Sequence, residues 1–195
     1  MCAAVADADN YYKSLGRFVH TYATVEIAAQ VILWVHIRVD MDTAKALLGG
    51  TRVRDAMSKV KRIREAMRIA ETSPTSKLLE NIFSQLADIT SARDDIFHYG
   101  AWVDPDGTQA RVSNWRHAYS ETKLREFRIS AEALNDMTAD LETCANRLIA
   151  LSEIVAKMRD LRPEDVPDEW KQPWRYKFSS QVIHPKRPSD TCPKS

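Results

Sequence analysis

Apolar residues recur every three or four positions along most of this chain, and that spacing predicts helices packed side by side. The first such stretch runs from about Asn10 to Val39. Tyr12, Leu15, Val19, Tyr22, Val25, Ala29, Ile32 and Val35 or His36 repeat along one face. Residues 1–9 precede it as a flexible N-terminus. Asp42 or Thr43 can cap a short second helix through Ala44 to Leu48, and Gly49-Gly50 ends it. Thr51 can cap a third helix, with Val53, Met57, Val60, Ile63 and Met67 inside. Thr72-Ser73-Pro74-Thr75 is a break. A fourth helix carries Leu78 or Leu79, Ile82, Phe83, Leu86, Ile89 and Ile96 and closes at Gly100.

Beyond Gly100 the pattern changes. Pro105-Asp106-Gly107 is turn chemistry between β-prone flanks, which predicts a small hairpin over about 101–115. Residues 116–129 are polar and carry no assignment. Ser130 caps a last long helix, with Ile129 as a hydrophobic staple and Leu134, Met137, Leu141, Cys144, Leu148, Leu151, Val155 and Met158 at helical spacing. From about 161 onward periodicity stops, and six of the eight prolines fall there. Trp170, Trp174, Tyr176 and Phe178 interrupt that tail. Aromatics are rare in disordered chains, so 163–184 reads as a strap across the body and 185–195 as free. The expectation is one all-α domain over 10–160, a bundle of four to five helices with a hairpin insertion and an irregular tail.

Composition narrows the function classes. Lys plus Arg number 28 against 27 for Asp plus Glu, a formal charge of +1. That excludes a wholly basic nucleic-acid binder and an acidic disordered chain, and leaves room for a local basic patch. Only 5 glycines occur, and neither GxGxxG nor GxxxxGK[ST] appears. Cys2, Cys144 and Cys192 are far apart, so no zinc ribbon or dithiol site is expected, and Cys144 reads as a core filler. No cofactor and no metal are expected. The N-terminus lacks a basic leader. The apolar run from Ile27 to Val35 is too short to span a bilayer. A cytoplasmic protein without membrane contact is the expectation.

The stretch richest in chemistry is Thr90-Ser91-Ala92-Arg93-Asp94-Asp95-Ile96-Phe97-His98-Tyr99-Gly100. Asp94 and His98 are four apart and share a helix face. Arg93 and His98 are five apart, about 140° around an ideal helix, so they point to adjoining faces. His98 lies in the last turn, where the carbonyl end of the helix favours an imidazolium. Glu26 on the first helix is a candidate partner for Arg93, with a plain exposed Glu as the alternative. Residues 51–68 hold Arg52, Arg54, Lys59, Lys61, Arg62, Arg64 and Arg68 against Asp55 and Glu65, a net of +5. That face suits an RNA backbone, with Arg54, Lys61, Arg62 and Arg68 as contacts, or it is simply a solvated helix face. His20 and His36 read as packing or surface residues.

Arg93-Asp94-x-x-x-His98, followed by Tyr99-Gly100, resembles the motif of the HEPN superfamily, R-x4–6-H with a polar residue after the Arg. Phe18-x7-Glu26 is a second likeness, since many members carry an acidic residue there. The resemblance spans about residues 10–158 and implies a helical bundle with the motif near the end of a later helix. It also implies a metal-independent endoribonuclease. His98 would be general acid or base, Arg93 would stabilise the phosphorane, Asp94 would orient one of them, and Tyr99 would support the site. Family members pair so that two motifs face one cleft, so a homodimer is implied. RNA is the implied substrate. An antitoxin or a nucleotidyltransferase is an implied partner, and a toxin or phage-defence effector an implied role. Two other readings stand beside it: a non-catalytic HEPN-like module binding nucleotide, RNA or protein, and an interaction protein whose Trp-containing tail docks a partner.

Overall fold

The computed structural model describes residues 2–99, 101–104, 109–113, 126–157 and 160–177, and for 2–8, 99, 126 and 127 the backbone alone. Helix α1 spans Cys2–Ile37, α2 Met41–Leu48, α3 Val53–Ala66, α4 Pro74–Tyr99 and α5 Ala131–Ala156. Strands β1 (Ala101–Val103), β2 (Gln109–Ser113) and β3 (Glu126–Ser130) lie between α4 and α5. The fold is an all-α bundle with a small antiparallel sheet inserted.

Helix α1 begins at Cys2, ahead of the Asn10 start that spacing predicts. Ala3, Ala4 and Ala6 are strong helix formers with no breaker among them, so the helix runs back through them. Its buried face is also one residue off the predicted one. Tyr11 and Phe18 are buried, whereas Tyr12 and Val19 are exposed. One position is 100° of helix, so a spacing fitted to Tyr12 and Val19 points away from the core. Tyr22, Val25, Ala29 and Ile32 belong to both patterns and are buried. By length and composition Asp9–Ile37 could cross a membrane. In this fold its apolar side lies in the bundle core, with α5 as its most extensive partner.

Two helix starts differ from the predicted caps. Asp40, not Asp42 or Thr43, caps α2: its carboxylate accepts from Thr43 N at 2.9 Å and from Thr43 Oγ1 at 2.6 Å. Thr51 does not cap α3. Its hydroxyl donates to the Leu48 carbonyl at 2.7 Å, and Arg52 stands at the N-cap without a side-chain bond. The α2–α3 turn requires both its glycines. A Cβ on Gly49 would meet the Lys45 carbonyl oxygen at 2.6 Å, and Gly50 has φ 77°. Helix α4 starts at Pro74 itself, inside the predicted break, because proline suits a first helical position. Ser73 Oγ accepts from Ser76 N at 3.2 Å.

The hairpin pairs Ala101 with Val112 and Val103 with Ala110. Its Pro-Asp-Gly turn lies outside the described residues. A third strand pairs Ala110 with Ile129 and Val112 with Phe127, so the sheet order is β1-β2-β3. Ala110, Val112 and Ile129 turn into the core. Ser130 caps α5 by accepting from Ala133 N at 3.1 Å. Beyond α5, Asp160 accepts from the Thr75 hydroxyl, and the chain then runs along the bundle through 3-10 turns at Pro163–Asp165 and Asp168–Lys171. Trp170, Trp174 and Tyr176 pack partly buried against the core. Phe178 and the rest of the predicted strap fall outside the described residues.

Candidate functional site

The motif residues occupy the last two turns of α4. Arg93 is fixed from three sides. Its guanidinium carbon lies 5.2 Å from the centroid of the Tyr22 ring and 4.9 Å from that of Phe97. Its Nη1 donates to Asp94 Oδ1 at 2.9 Å. Phe97 is four residues on from Arg93, so the helix itself brings them together. Tyr22 comes from α1, where its hydroxyl shares a 3.0 Å hydrogen bond with Thr90 Oγ1. Burial pushes the Tyr22 phenol above its ordinary pKa, so the ring stays neutral beneath the cation.

Asp94 holds a second arginine. Arg54, from the first turn of α3, approaches Asp94 Oδ2 at 3.4 Å and donates to Ser91 Oγ at 3.1 Å. One carboxylate thus joins two guanidinium groups from different helices. His98 is exposed and makes no hydrogen bond or ion pair among the described residues. It is a full turn past Asp94 on the same face, free to approach a ligand. Phe97, 47 % exposed, and Trp102, 53 % exposed, add apolar surface to this end of the bundle.

The other predicted residues are scattered. Glu26 does not pair with Arg93. It pairs with Arg52 at 3.4 Å, because α3 starts alongside it. Tyr99 closes α4, and its side chain is outside the described residues. The basic face of α3 is divided rather than continuous. Arg54 belongs to the motif site, and Lys61 pairs with Glu80 at 3.0 Å. Arg62 and Arg68 are exposed, Arg68 just past the helix at φ 54°. Arg64 turns inward. Its Nη1 donates to His36 Nε2 at 3.2 Å and its Nη2 to Ser76 Oγ at 2.6 Å.

Sequence reasoning passed over Tyr22, Ser91 and Phe97, and assigned Arg54 to another site. Only Phe97 carried a signal, its spacing from Arg93. The rest depends on which helices become neighbours. A polar cluster on the other side of α4 also went unread. Asp140, buried on α5, accepts from Gln85 Nε2 at 2.9 Å and from the backbone N–H groups of Arg175 and Tyr176 at 3.1 and 2.8 Å. Gln85 Nε2 also donates to the Tyr176 carbonyl at 3.0 Å. Arg147, two turns along α5, donates to the Glu169 carbonyl at 2.8 Å and stacks on Trp174 with its guanidinium carbon 4.7 Å from the ring centroid.

Among the described residues no three His, Cys, Asp or Glu side chains converge to hold a metal ion. Cys144 is buried and its thiol pKa is raised, chiefly by that burial, so it is no nucleophile. No family model, curated protein or solved structure matches the chain.

Proposed function

We propose that this chain is a metal-independent endoribonuclease of HEPN type, acting as a two-fold homodimer in which two copies of Arg93 and His98 face one RNA cleft. The observation that supports it is the contrast between the two residues. Arg93 is held over Tyr22 and Phe97, while His98 stands exposed one turn along, free of internal partners among the described residues. A fixed cation beside an unengaged imidazole suits phosphodiester chemistry.

In that reaction one His98 takes the proton of a ribose 2′-hydroxyl. The 2′-oxygen forms a bond to phosphorus. The bond from phosphorus to the 5′-oxygen breaks, and His98 of the second copy protonates that leaving oxygen. The products are a 2′,3′-cyclic phosphate and a 5′-hydroxyl. Arg93 neutralises the charge that gathers on the phosphorane oxygens, and its planar fork can grip two of them. A toxin or phage-defence effector in the cytoplasm, with an antitoxin or nucleotidyltransferase partner, is the role the HEPN resemblance implies.

One observation favours a second reading. Arg93 and Asp94 already satisfy one another at 2.9 Å, as they would in a HEPN-like module that binds nucleotide, RNA or protein without cleaving. RNA cleavage assays in EDTA decide between the two, with wild type beside His98→Ala. The expected result is cleavage by wild type, insensitive to EDTA, and its loss in His98→Ala. Absence of cleavage on every RNA tested would favour the binding module.

A further inference from the structure

We infer that the Asp94 carboxylate occupies the seat of a phosphate group, and that it must turn out of that seat before a nucleic-acid phosphodiester can enter. This rests on the nuclease reading only for the identity of the anion; the seat itself is described by the side chains. Asp94 Oδ1 takes Nη1 of Arg93 at 2.9 Å, and Oδ2 takes Nη2 of Arg54 at 3.4 Å. Two oxygens, each on a separate guanidinium, reproduce what the two non-bridging oxygens of a phosphodiester would accept.

The cations do not depend on Asp94 for their places. Arg93 is kept by the faces of Tyr22 and Phe97, which leave the N–H edge of its guanidinium available. Arg54 is tethered to Ser91 Oγ at 3.1 Å. The seat is open to solvent: the side chains of Arg93, Asp94 and Arg54 are 29 %, 31 % and 55 % exposed. An exposed ion pair is weak, so an incoming anion can displace the carboxylate. Glu26 on α1 is already engaged by Arg52. With Asp94 turned away, two positive groups face the gap it leaves, and His98 lies one turn on from that gap along α4. Asp94 is then a competitor of the substrate rather than an aid to binding.

The test measures binding apart from cleavage. The probe is a fluorescein-labelled single-stranded oligothymidylate, whose deoxyribose has no 2′-hydroxyl to react. Asp94→Asn and Asp94→Ala are expected to bind it roughly three- to fivefold more tightly than wild type, the scale of one exposed ion pair. Arg54→Ala should bind more weakly, with the salt slope reduced by about one. Inorganic phosphate should displace the probe from Asp94→Asn at lower concentration if a lone phosphate fills the seat. Displacement only by unlabelled oligonucleotide assigns the seat to a diester. Asp168→Asn removes the same charge from the Lys171 pair on the C-terminal strap and should leave affinity unchanged. The inference is overturned if neither Asp94 variant tightens binding, or if Asp168→Asn tightens it equally. Asp94→Asn keeps the side chain's shape and carries the test if Asp94→Ala folds poorly. Tighter binding without RNA cleavage would keep the seat and remove the nuclease; cleavage without tighter binding would do the reverse.

Discussion

Arg93 and Arg147 sit in similar company. Each guanidinium lies over an aromatic ring, and each has an aspartate nearby on its own helix. The difference is where their hydrogen bonds go. Asp140 and Arg147 are 3 % and 4 % exposed, and both bind the backbone of the C-terminal strap. Asp94 and Arg93 are open to water and bind side chains, one of them from another helix. A backbone partner at a buried site has no substitute, so the α5 pair is a fastening. A side-chain partner at an open site can be exchanged for a ligand, so the α4 pair is a place to bind. Burial also lowers the Arg147 pKa, the cost of holding that cation away from water, and among the described residues its Nε and Nη1 have no hydrogen-bond partner.

The largest effect that separates the two regions is catalytic. His98→Ala and Arg93→Ala should each lower RNA cleavage by about two or more powers of ten while circular dichroism stays native. Arg93→Lys should restore only part, because an ammonium cannot grip two oxygens as a fork does. Equal loss of helix content in these variants would erase the distinction, since Arg93 would then be a fastening too.

Next in size is the strap. Asp140→Ala removes the acceptor of two backbone N–H groups and of one Gln85 N–H, whose Nε2 keeps the Tyr176 carbonyl. It should cost about 2–3 kcal/mol, or roughly 5–10 °C in melting temperature at this chain length. The emission of Trp170 and Trp174 should shift to the red as the strap lifts. Asp94→Ala should change the melting point far less, about 1 kcal/mol or under. Similar melting losses in the two variants would end the contrast.

Arg64 sharpens it, being an arginine bonded to neutral partners. Its Nη1 donates to His36 Nε2, and His36 Nδ1 donates to the Ile32 carbonyl at 2.6 Å. Burial first, then the charges of Arg64 and Arg38, hold the His36 pKa below its ordinary 6.5, against the opposing Ile32 bond. The unfolded chain therefore binds this proton more readily than the folded one. Stability is complete above about 6.5 and falls as the pH drops through that value toward the lower folded pKa, by at most about 1.4 kcal/mol per unit. Urea midpoints measured between pH 7.5 and 5.5 should show this slope in wild type and lose it in His36→Gln. The smallest effect belongs to Lys61→Ala, whose exposed pair with Glu80 should contribute under about 0.5 kcal/mol to the same midpoints.

Local spacing made the helices legible. Leu79, Ile82, Leu86 and Ile89 on α4, and Leu134, Met137, Leu141, Leu148 and Leu151 on α5, are buried as their period predicts. It failed where two patterns competed. Ile129 reads as a staple ahead of Ser130, which conceals that Phe127 and Ile129 keep a strand period in β3. Asp40 does not stand out as the cap of α2 because Asp42 and Thr43 offer the same chemistry two and three residues later. At the site, Arg93, Asp94 and His98 could be singled out because they share one helix. Tyr22 and Arg54 are 71 and 39 positions before Arg93, and no local pattern reports which helices will lie beside α4.

The pairing of α1 with α5 has a consequence in time. A ribosome releases the first helix of this bundle long before its main partner exists. Between Ile37 and Ala156 lie about 120 residues, roughly 6–25 s of synthesis at ordinary elongation rates. During that interval Phe18, Val25, Ile32 and Leu33 lack the surface that later covers them. The same stretch is apolar enough to pass for a bilayer span. The nascent chain is therefore most exposed to aggregation, and most attractive to a chaperone or a membrane-targeting factor, before α5 emerges.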